Sequence, residues 1–142
     1  MLRRLVLATL ATTAAGTAGF GPLPPLPLLS PPPETLTVTV TKSGYPNADG
    51  TFELTCDDQA DGNHPAREDA CERLDQLAKE GGNPFKPVPA DQFCAQVYGG
   101  PADAHITGTW QGRTVDARFS RANGCEIDRW ENLEPVLPLV RG

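Results

Sequence analysis

The chain has 142 residues, four cysteines and a formal net charge of −6 at neutral pH. This length predicts one folded domain. The acidic charge disfavours nucleic acid and anionic membrane surfaces as partners, because both repel an anionic protein.

The first residues have the pattern of a secretory signal peptide. Arg3 and Arg4 precede a short apolar run, Leu5–Ala11, and small residues follow as far as Ala18. The run is shorter than the about 20 residues that cross a bilayer. We therefore predict a signal peptide over residues 1–18 and a secreted, extracellular protein. Loss of the two arginines changes the net charge from −6 to −8.

A proline-rich segment comes next. Proline fixes φ and has no N–H donor, so this segment cannot join a helix or a central strand. We predict an extended linker over residues 19–33 and a folded domain over residues 34–142. The prolines are Pro22, Pro24, Pro25, Pro27, Pro31, Pro32 and Pro33.

The first half of the domain predicts two strands and a helix. Residues 35–41 and 51–56 alternate apolar and polar side chains, which is typical of half-buried antiparallel strands. Apolar residues then recur at helical spacing from Pro65, where Asn63 or His64 could cap the helix, to Gly81 and Gly82, which end it.

The second half predicts mainly strands. Residues 93–98 form a short extended segment, and two β-rich runs, 105–110 and 113–119, flank the turn pair Gln111-Gly112 as a hairpin. We predict a last short strand over residues 124–130. The tail from Leu133 contains two prolines and is expected to be poorly ordered.

Four cysteines in an exported chain indicate two disulfides, and three pairings are possible. Sequential pairing would close loops of 15 and 31 residue steps, counted from Cys56 to Cys71 and from Cys94 to Cys125. A zinc site using Cys56, Cys71 and His64 is the alternative, but structural zinc ligands usually come as close pairs. We therefore predict no metal site.

The residues give little support for an enzyme. No G-x-S-x-G motif is present, and Ser120 is the only serine after Ser43. Sequence order permits a Ser-His-Asp set using His64 or His105, but nothing favours it. We predict a protein that is not an enzyme and needs no cofactor.

Three blocks of the sequence resemble the Streptomyces subtilisin inhibitor family of serine protease inhibitors. The blocks resemble the family patterns L-T-C…G-T-H-P…A-C…L, C-x-x-x-Y and G-x-W-x-G…V…N-x-C, with Asn63 in place of threonine. The matching residues are Leu54-Thr55-Cys56, Gly62-Asn63-His64-Pro65, Ala70-Cys71 and Leu74; Cys94-Ala95-Gln96-Val97-Tyr98; and Gly108-Thr109-Trp110-Gln111-Gly112, Val115 and Asn123-Gly124-Cys125.

The resemblance implies an α+β fold, with an antiparallel β-sheet of about five strands and one main α-helix packed on it. It also implies the disulfides Cys56–Cys71 and Cys94–Cys125. The implied function is reversible, substrate-like inhibition of subtilisin-like serine proteases by a homodimer.

The resemblance also assigns roles to individual residues. The bond presented to the protease is Gln96–Val97, and Gln96 enters the primary specificity pocket. Asn123 supports the loop from beneath. The neighbouring protease-contacting residues are Phe93, Cys94, Ala95 and Tyr98.

Two features depart from the family pattern. Gly99-Gly100-Pro101 replaces the usual run after the tyrosine, and Gln96 replaces the more usual methionine, lysine or arginine. These departures leave open a non-inhibitory extracellular binding protein on the same scaffold. Gln96 would also permit a role as glutamine donor for a cross-linking enzyme.

Overall fold

A computed structural model describes residues 33–140, together with Gly16, Gly19 and residues 21–22. The chain divides into two units, residues 1–30 and 31–142, and the fold described below belongs to the second. The predicted signal peptide and linker lie almost entirely outside the described residues. Both stay predictions.

The sheet has five antiparallel strands in the order β3-β2-β1-β4-β5. The α+β fold and the number of strands are as predicted. The strands are β1 (Thr35–Thr41), β2 (Gly50–Cys56), β3 (Ala60–Asp61), β4 (Asp103–Trp110) and β5 (Arg113–Phe119).

The central strand shows why the sheet has one apolar face. Leu36, Val38 and Val40 of β1 are at most 2% exposed, whereas the intervening threonines lie on the outer face. Successive side chains of a strand point to opposite faces, so this alternation buries one face only. The hairpin between β4 and β5 is also as predicted: Gln111 and Gly112 both have positive φ, at 51° and 71°, as a type I′ turn requires.

Helix α1 (Arg67–Glu80) is the predicted main helix, and the disulfide Cys56–Cys71 joins it to the end of β2. The predicted cap was wrong. Ala66 occupies the N-cap position without a side-chain hydrogen bond, and Asn63 instead accepts from the backbone N–H of Glu53 at 2.6 Å. The ring of His64 accepts from the N–H of Ala66 at 3.1 Å, and its Nε2 lies 2.8 Å from the carbonyl oxygen of Val136.

The predicted strand over residues 124–130 was wrong, because this segment is helix α2 (Gly124–Asn132). The side chain of Asn123 accepts a hydrogen bond from the N–H of Glu126 at 3.0 Å, which caps the helix. Glu126 and Arg129, three residues apart, then pair at 3.0 Å on the same side. The cap and the spaced ion pair are helical features that the strand prediction overlooked.

The expectation of a poorly ordered tail was also wrong for the described residues. Leu133, Val136 and Leu137 are fully buried, and Val140 is nearly so. The indole of Trp130 donates to the carbonyl oxygen of Pro138 at 2.9 Å, which fastens the tail to α2. Burial of apolar side chains here outweighs the two prolines that suggested disorder.

Among the described residues, no helix has the length and apolar character that a membrane crossing requires.

Candidate functional site

The segment 93–98 is an exposed loop between α1 and β4. It pairs with no strand, and its apolar side chains face solvent: Phe93 is 91% exposed, Val97 54% and Tyr98 69%. Gln96 and Ala95 are exposed as well. Clustered exposed apolar side chains are typical of a surface that binds another protein.

The first half of this loop is tied to the start of α2. The disulfide Cys94–Cys125 brings the two Cα atoms to 5.3 Å, and the carbonyl oxygen of Ala95 accepts a hydrogen bond from the N–H of Gly124 at 2.9 Å. A Cβ on Gly124 would lie 3.2 Å from the Cβ of Ala95, so the close approach favours glycine. The backbone before Gln96 is therefore held at two adjacent residues.

Gln96 lies at the apex of a tight turn. The N–H of Val97 donates back to the carbonyl oxygen of Ala95 at 2.8 Å, which closes a three-residue γ-turn around Gln96. The extended run predicted for residues 93–98 is bent at this point. Gln96 and Val97 are both exposed at this bend.

The second half of the loop is tied to Arg121. The N–H of Gly99 donates to the carbonyl oxygen of Arg121 at 2.8 Å, and the Nε of Arg121 donates to the carbonyl oxygen of Gly99 at 3.0 Å. Gly99 is buried, and a Cβ there would lie only 2.9 Å from Ile127. Gly100 has a φ of +101°, which favours glycine. The glycine pair that departed from the family pattern thus has a structural use.

Asn123, which is predicted to support the loop, lies at the N-cap position of α2. Among the described residues, the hydrogen bond recorded for its side chain is the α2 cap, and none is recorded to a loop carbonyl. Its neighbour Gly124 makes the loop contact through the backbone. The support of the loop by Asn123 stays a prediction.

The structure brings most of the predicted site residues together. Cys94, Ala95 and Gln96–Tyr98 form the exposed loop, and residues 121–125 form the platform beneath it, hereafter called the support segment. Sequence reasoning missed Arg121, which is 5% exposed. The sequence offers no signal that this arginine is buried, because arginine is mostly exposed in proteins.

The two histidines and two of the serines have structural partners of their own. His64 is buried beside the C-terminal tail, and burial lowers its pKa from the ordinary value. His105 pairs with Asp116 at 2.6 Å across β4 and β5. The hydroxyl of Ser43 donates to the carbonyl oxygen of Tyr45, and that of Ser120 accepts from the N–H of Ala122. Within the described residues, no group of His, Cys, Asp and Glu side chains is arranged to bind a metal.

Comparison with known proteins identifies the family of this chain. The family model described as "Subtilisin inhibitor-like" matches residues 32–123. A Streptomyces avermitilis protein, whose name proposes a serine protease inhibitor, is 36% identical over 97 residues, or 68% of this chain and 62% of the relative. A Streptomyces fradiae protein named as a subtilase-type protease inhibitor is 35% identical over 72 residues, or 51% of this chain and 49% of the relative. The chain thus spans 62% and 49% of the lengths of these two relatives.

Among solved structures, Streptomyces caespitosus sermetstatin, crystallised in complex with Bacillus licheniformis subtilisin, is 26% identical with a TM-score of 0.47. The match covers 75% of this chain and 99% of that chain.

Proposed function

We propose that this chain, which belongs to the subtilisin inhibitor-like family, is a reversible, substrate-like inhibitor of subtilisin-like serine proteases. The observation that carries the proposal is the exposed turn at Gln96, fixed on both sides to one support segment. We propose Gln96–Val97 as the bond presented to the protease. Phe93, Cys94, Ala95 and Tyr98 are the proposed contacts around it.

The proposed binding follows from the backbone of the loop. A protease binds its substrate as an added strand, so docking would replace the γ-turn bond at Gln96 with backbone hydrogen bonds to the protease. A loop that is already ordered loses little entropy when it binds, and this saving raises affinity. Phe93 and Tyr98 supply apolar area on either side of Gln96. An interface of ordinary size would bury about 1,600 Å² in total.

Reversibility follows from the two attachments. If the protease cuts Gln96–Val97, the new amine of Val97 stays on a chain fixed at Gly99, and the acyl carbon stays on a chain fixed at Ala95 and Cys94. Neither end diffuses away. Re-formation of the amide therefore competes with hydrolysis, so the protein inhibits the protease and is not consumed as a substrate.

The test is a titration of subtilisin together with a digest. We expect inhibition near one loop per protease molecule, and sub-stoichiometric subtilisin should slowly yield one new N-terminus at Val97. A main cut outside residues 94–100, or rapid digestion of the whole domain, would contradict the proposal. That result would favour the non-inhibitory binding protein instead.

Secretion is part of the proposal and rests on the N-terminal pattern of Arg3, Arg4 and the apolar run after them. We expect an exported mature protein whose N-terminus lies near residue 19. N-terminal sequencing of the protein from culture medium tests this. Retention of the full chain inside the producing cell would contradict it.

A homodimer is also part of the proposal and rests on the family. Sedimentation equilibrium of the mature protein should give twice the monomer mass at micromolar concentration. A monomer mass under those conditions would remove the dimer from the proposal, with no effect on the proposed inhibition.

A further inference from the structure

We infer that Arg121 is a positioning residue for the leaving-group side of the loop; the inference rests on the proposed function. The leaving-group side is the chain from Val97 to Gly99, which carries the amine released by cleavage. Arg121 is the residue of the support segment that binds this side.

The bonding between Arg121 and Gly99 is reciprocal. Gly99 donates its N–H to the carbonyl oxygen of Arg121 at 2.8 Å, and the Arg121 side chain returns a hydrogen bond from Nε to the carbonyl oxygen of Gly99 at 3.0 Å. Both polar groups of one loop residue are thus bound by one partner. Because the donor is charged, the second bond is stronger than one between neutral groups.

The guanidinium is held in place by its surroundings. Its side chain is 6% exposed, it lies 5.9 Å from the centre of the Trp130 ring, and its Nη2 lies 3.6 Å from a carboxylate oxygen of Glu131. Trp130 is fully buried in α2, so the arginine rests on a rigid part of the core. A group fixed in this way restrains the loop, because its own position does not adapt to loop motion.

The loop residue is adapted to the same contact. A Cβ on Gly99 would lie 3.1 Å from the Cβ of Arg121 and 2.9 Å from the side chain of Ile127. Only glycine brings the backbone this close without a shift of its neighbours. A buried cation and an obligatory glycine therefore meet at one point, three residues after Gln96.

The expected consequence lies in the reverse reaction. On cleavage, the amide C–N bond of Gln96–Val97 breaks and the protease serine oxygen forms an ester with the Gln96 carbonyl carbon. The released Val97 amine takes the proton that the serine hydroxyl loses. Religation reverses each step and releases the serine hydroxyl. Religation requires the amine to stay beside the ester, and Gly99 fixes the chain two residues beyond that amine.

The test compares Arg121→Met with Arg129→Met. Arg129 is a suitable control because it is also largely buried, lies 4.2 Å from the centre of the Phe119 ring and donates to the carbonyl oxygens of Arg118 and Phe85. None of its recorded contacts is with residues 93–100. Both variants are measured for Tm, for the inhibition constant against subtilisin, and for the rate at which the 96–97 bond is cut.

We expect Arg121→Met to raise the inhibition constant by about 10- to 100-fold, the effect of losing one charged hydrogen bond. The cutting rate should rise by a similar factor. Arg129→Met should lower Tm about as much as Arg121→Met does. It should change the inhibition constant and the cutting rate by less than about threefold. Equal protease readouts for the two variants at equal loss of Tm would overturn the inference.

A second substitution and an amide-exchange measurement probe the same contact. Arg121→Lys, which keeps the buried cation but lacks the Nε donor, replaces Arg121→Met if the latter does not fold, and it should show the same increases. In the free protein, exchange of the Gly99 amide hydrogen should be at least about 10-fold faster in the Arg121 variant than in the Arg129 variant. If the wild-type protein does not inhibit subtilisin, the proposed function fails. Gly99 amide exchange that is equally fast in the Arg121 and Arg129 variants would show, separately, that Arg121 does not position the loop.

Discussion

At the scale of single residues, the proposed target specificity rests on Gln96. It lies at the apex of the γ-turn, its side chain is exposed, and no charged residue occurs between Phe93 and Gly100. A neutral polar side chain suits a broad pocket such as that of a subtilisin-like enzyme. It suits a trypsin-like pocket poorly, because the buried carboxylate there would lack a cationic partner.

Gln96→Lys should therefore create trypsin inhibition and keep much of the subtilisin inhibition. The gain against trypsin should be about 100-fold, the effect of one hydrogen-bonded charge pair. Gln59→Lys is the matched control, since it makes the same charge change at an exposed position in the turn between β2 and β3. The inhibition constants of both variants are measured against trypsin and subtilisin. A similar gain in the Gln59 variant would show that net charge, and not the pocket, is responsible.

A second single residue, His64, links stability to pH. Burial lowers its pKa from the ordinary value near 6.5, and the bond with the Val136 carbonyl opposes this shift more weakly. Because the folded pKa lies below the unfolded one, the unfolded state binds more protons as the pH falls. The stability that neutral His64 contributes to the folded protein is fully present above about pH 6.5, and it is lost as the pH falls from there through the folded pKa.

We expect His64→Gln to be less stable than wild type at pH 7.5 and to lose less stability between pH 7.5 and 5. The unfolding free energy at each pH is measured with urea, and His105→Gln serves as the control for the other histidine, which is partly exposed. A wild-type stability that stays flat over this range, or falls as steeply in the His64 variant, would contradict the assignment.

At the scale of elements, local pattern predicted those parts whose signals are local. The alternation in β1 and β2, the helical spacing in α1 and the Gln111-Gly112 turn each depend on neighbouring residues alone. Strand β3 is two residues long and exists only because it pairs with Thr55 and Cys56, so its own sequence carries no signal. The C-terminal tail is ordered by burial against the core, which two prolines obscured.

The misassigned helix α2 bears directly on the site. The family resemblance assigns Asn123 a supporting role for the loop, and in the structure its side chain caps α2. The two roles are connected, because the cap fixes the first turn of α2 and the N–H of Gly124 in that turn binds Ala95. The geometry of the loop attachment could not be predicted from residues that are 28 positions apart in the sequence, Ala95 and Asn123.

Asn123→Ala should lower the unfolding free energy by about 1 kcal/mol, the usual cost of a lost N-cap. It should also raise the inhibition constant against subtilisin by more than the lower unfolding free energy accounts for, because Gly124 then binds Ala95 less firmly. Asn123→Asp keeps the cap acceptor but has no amide donor. We expect it to behave like wild type in urea unfolding and in subtilisin inhibition. Weak inhibition by a stable Asp variant would instead indicate that the amide donates to the loop.

At the scale of the whole molecule, the two disulfides have separate uses. The pairing is the one that the family resemblance implied, Cys56–Cys71 and Cys94–Cys125, closing loops of 15 and 31 residue steps. The first joins α1 to the sheet, and the second joins the exposed loop to α2. By loop-closure entropy they stabilise the fold by about 3 and 3.7 kcal/mol, which is a large share for a domain of this size.

The two bridges should therefore differ in their effect on inhibition although both affect stability. Replacing Cys56 and Cys71 with serine should lower the unfolding free energy by about 3 kcal/mol and leave the inhibition constant nearly unchanged below the melting temperature. Replacing Cys94 and Cys125 should lower stability at least as much and also raise the inhibition constant, because the residue two before Gln96 loses its attachment. The cutting rate at Gln96–Val97 should rise only in the second variant.

The comparison is made at 10 °C, where near-ultraviolet circular dichroism identifies the variants that are still folded. Both doubly substituted proteins lack one bridge and two sulfur atoms, so each is the control for the other. If the two folded variants inhibit subtilisin equally well, the Cys94–Cys125 bridge stabilises the domain without stiffening the loop. The backbone bonds of Ala95 and Gly99 to the support segment would then be the attachments that hold the loop in its inhibitory form.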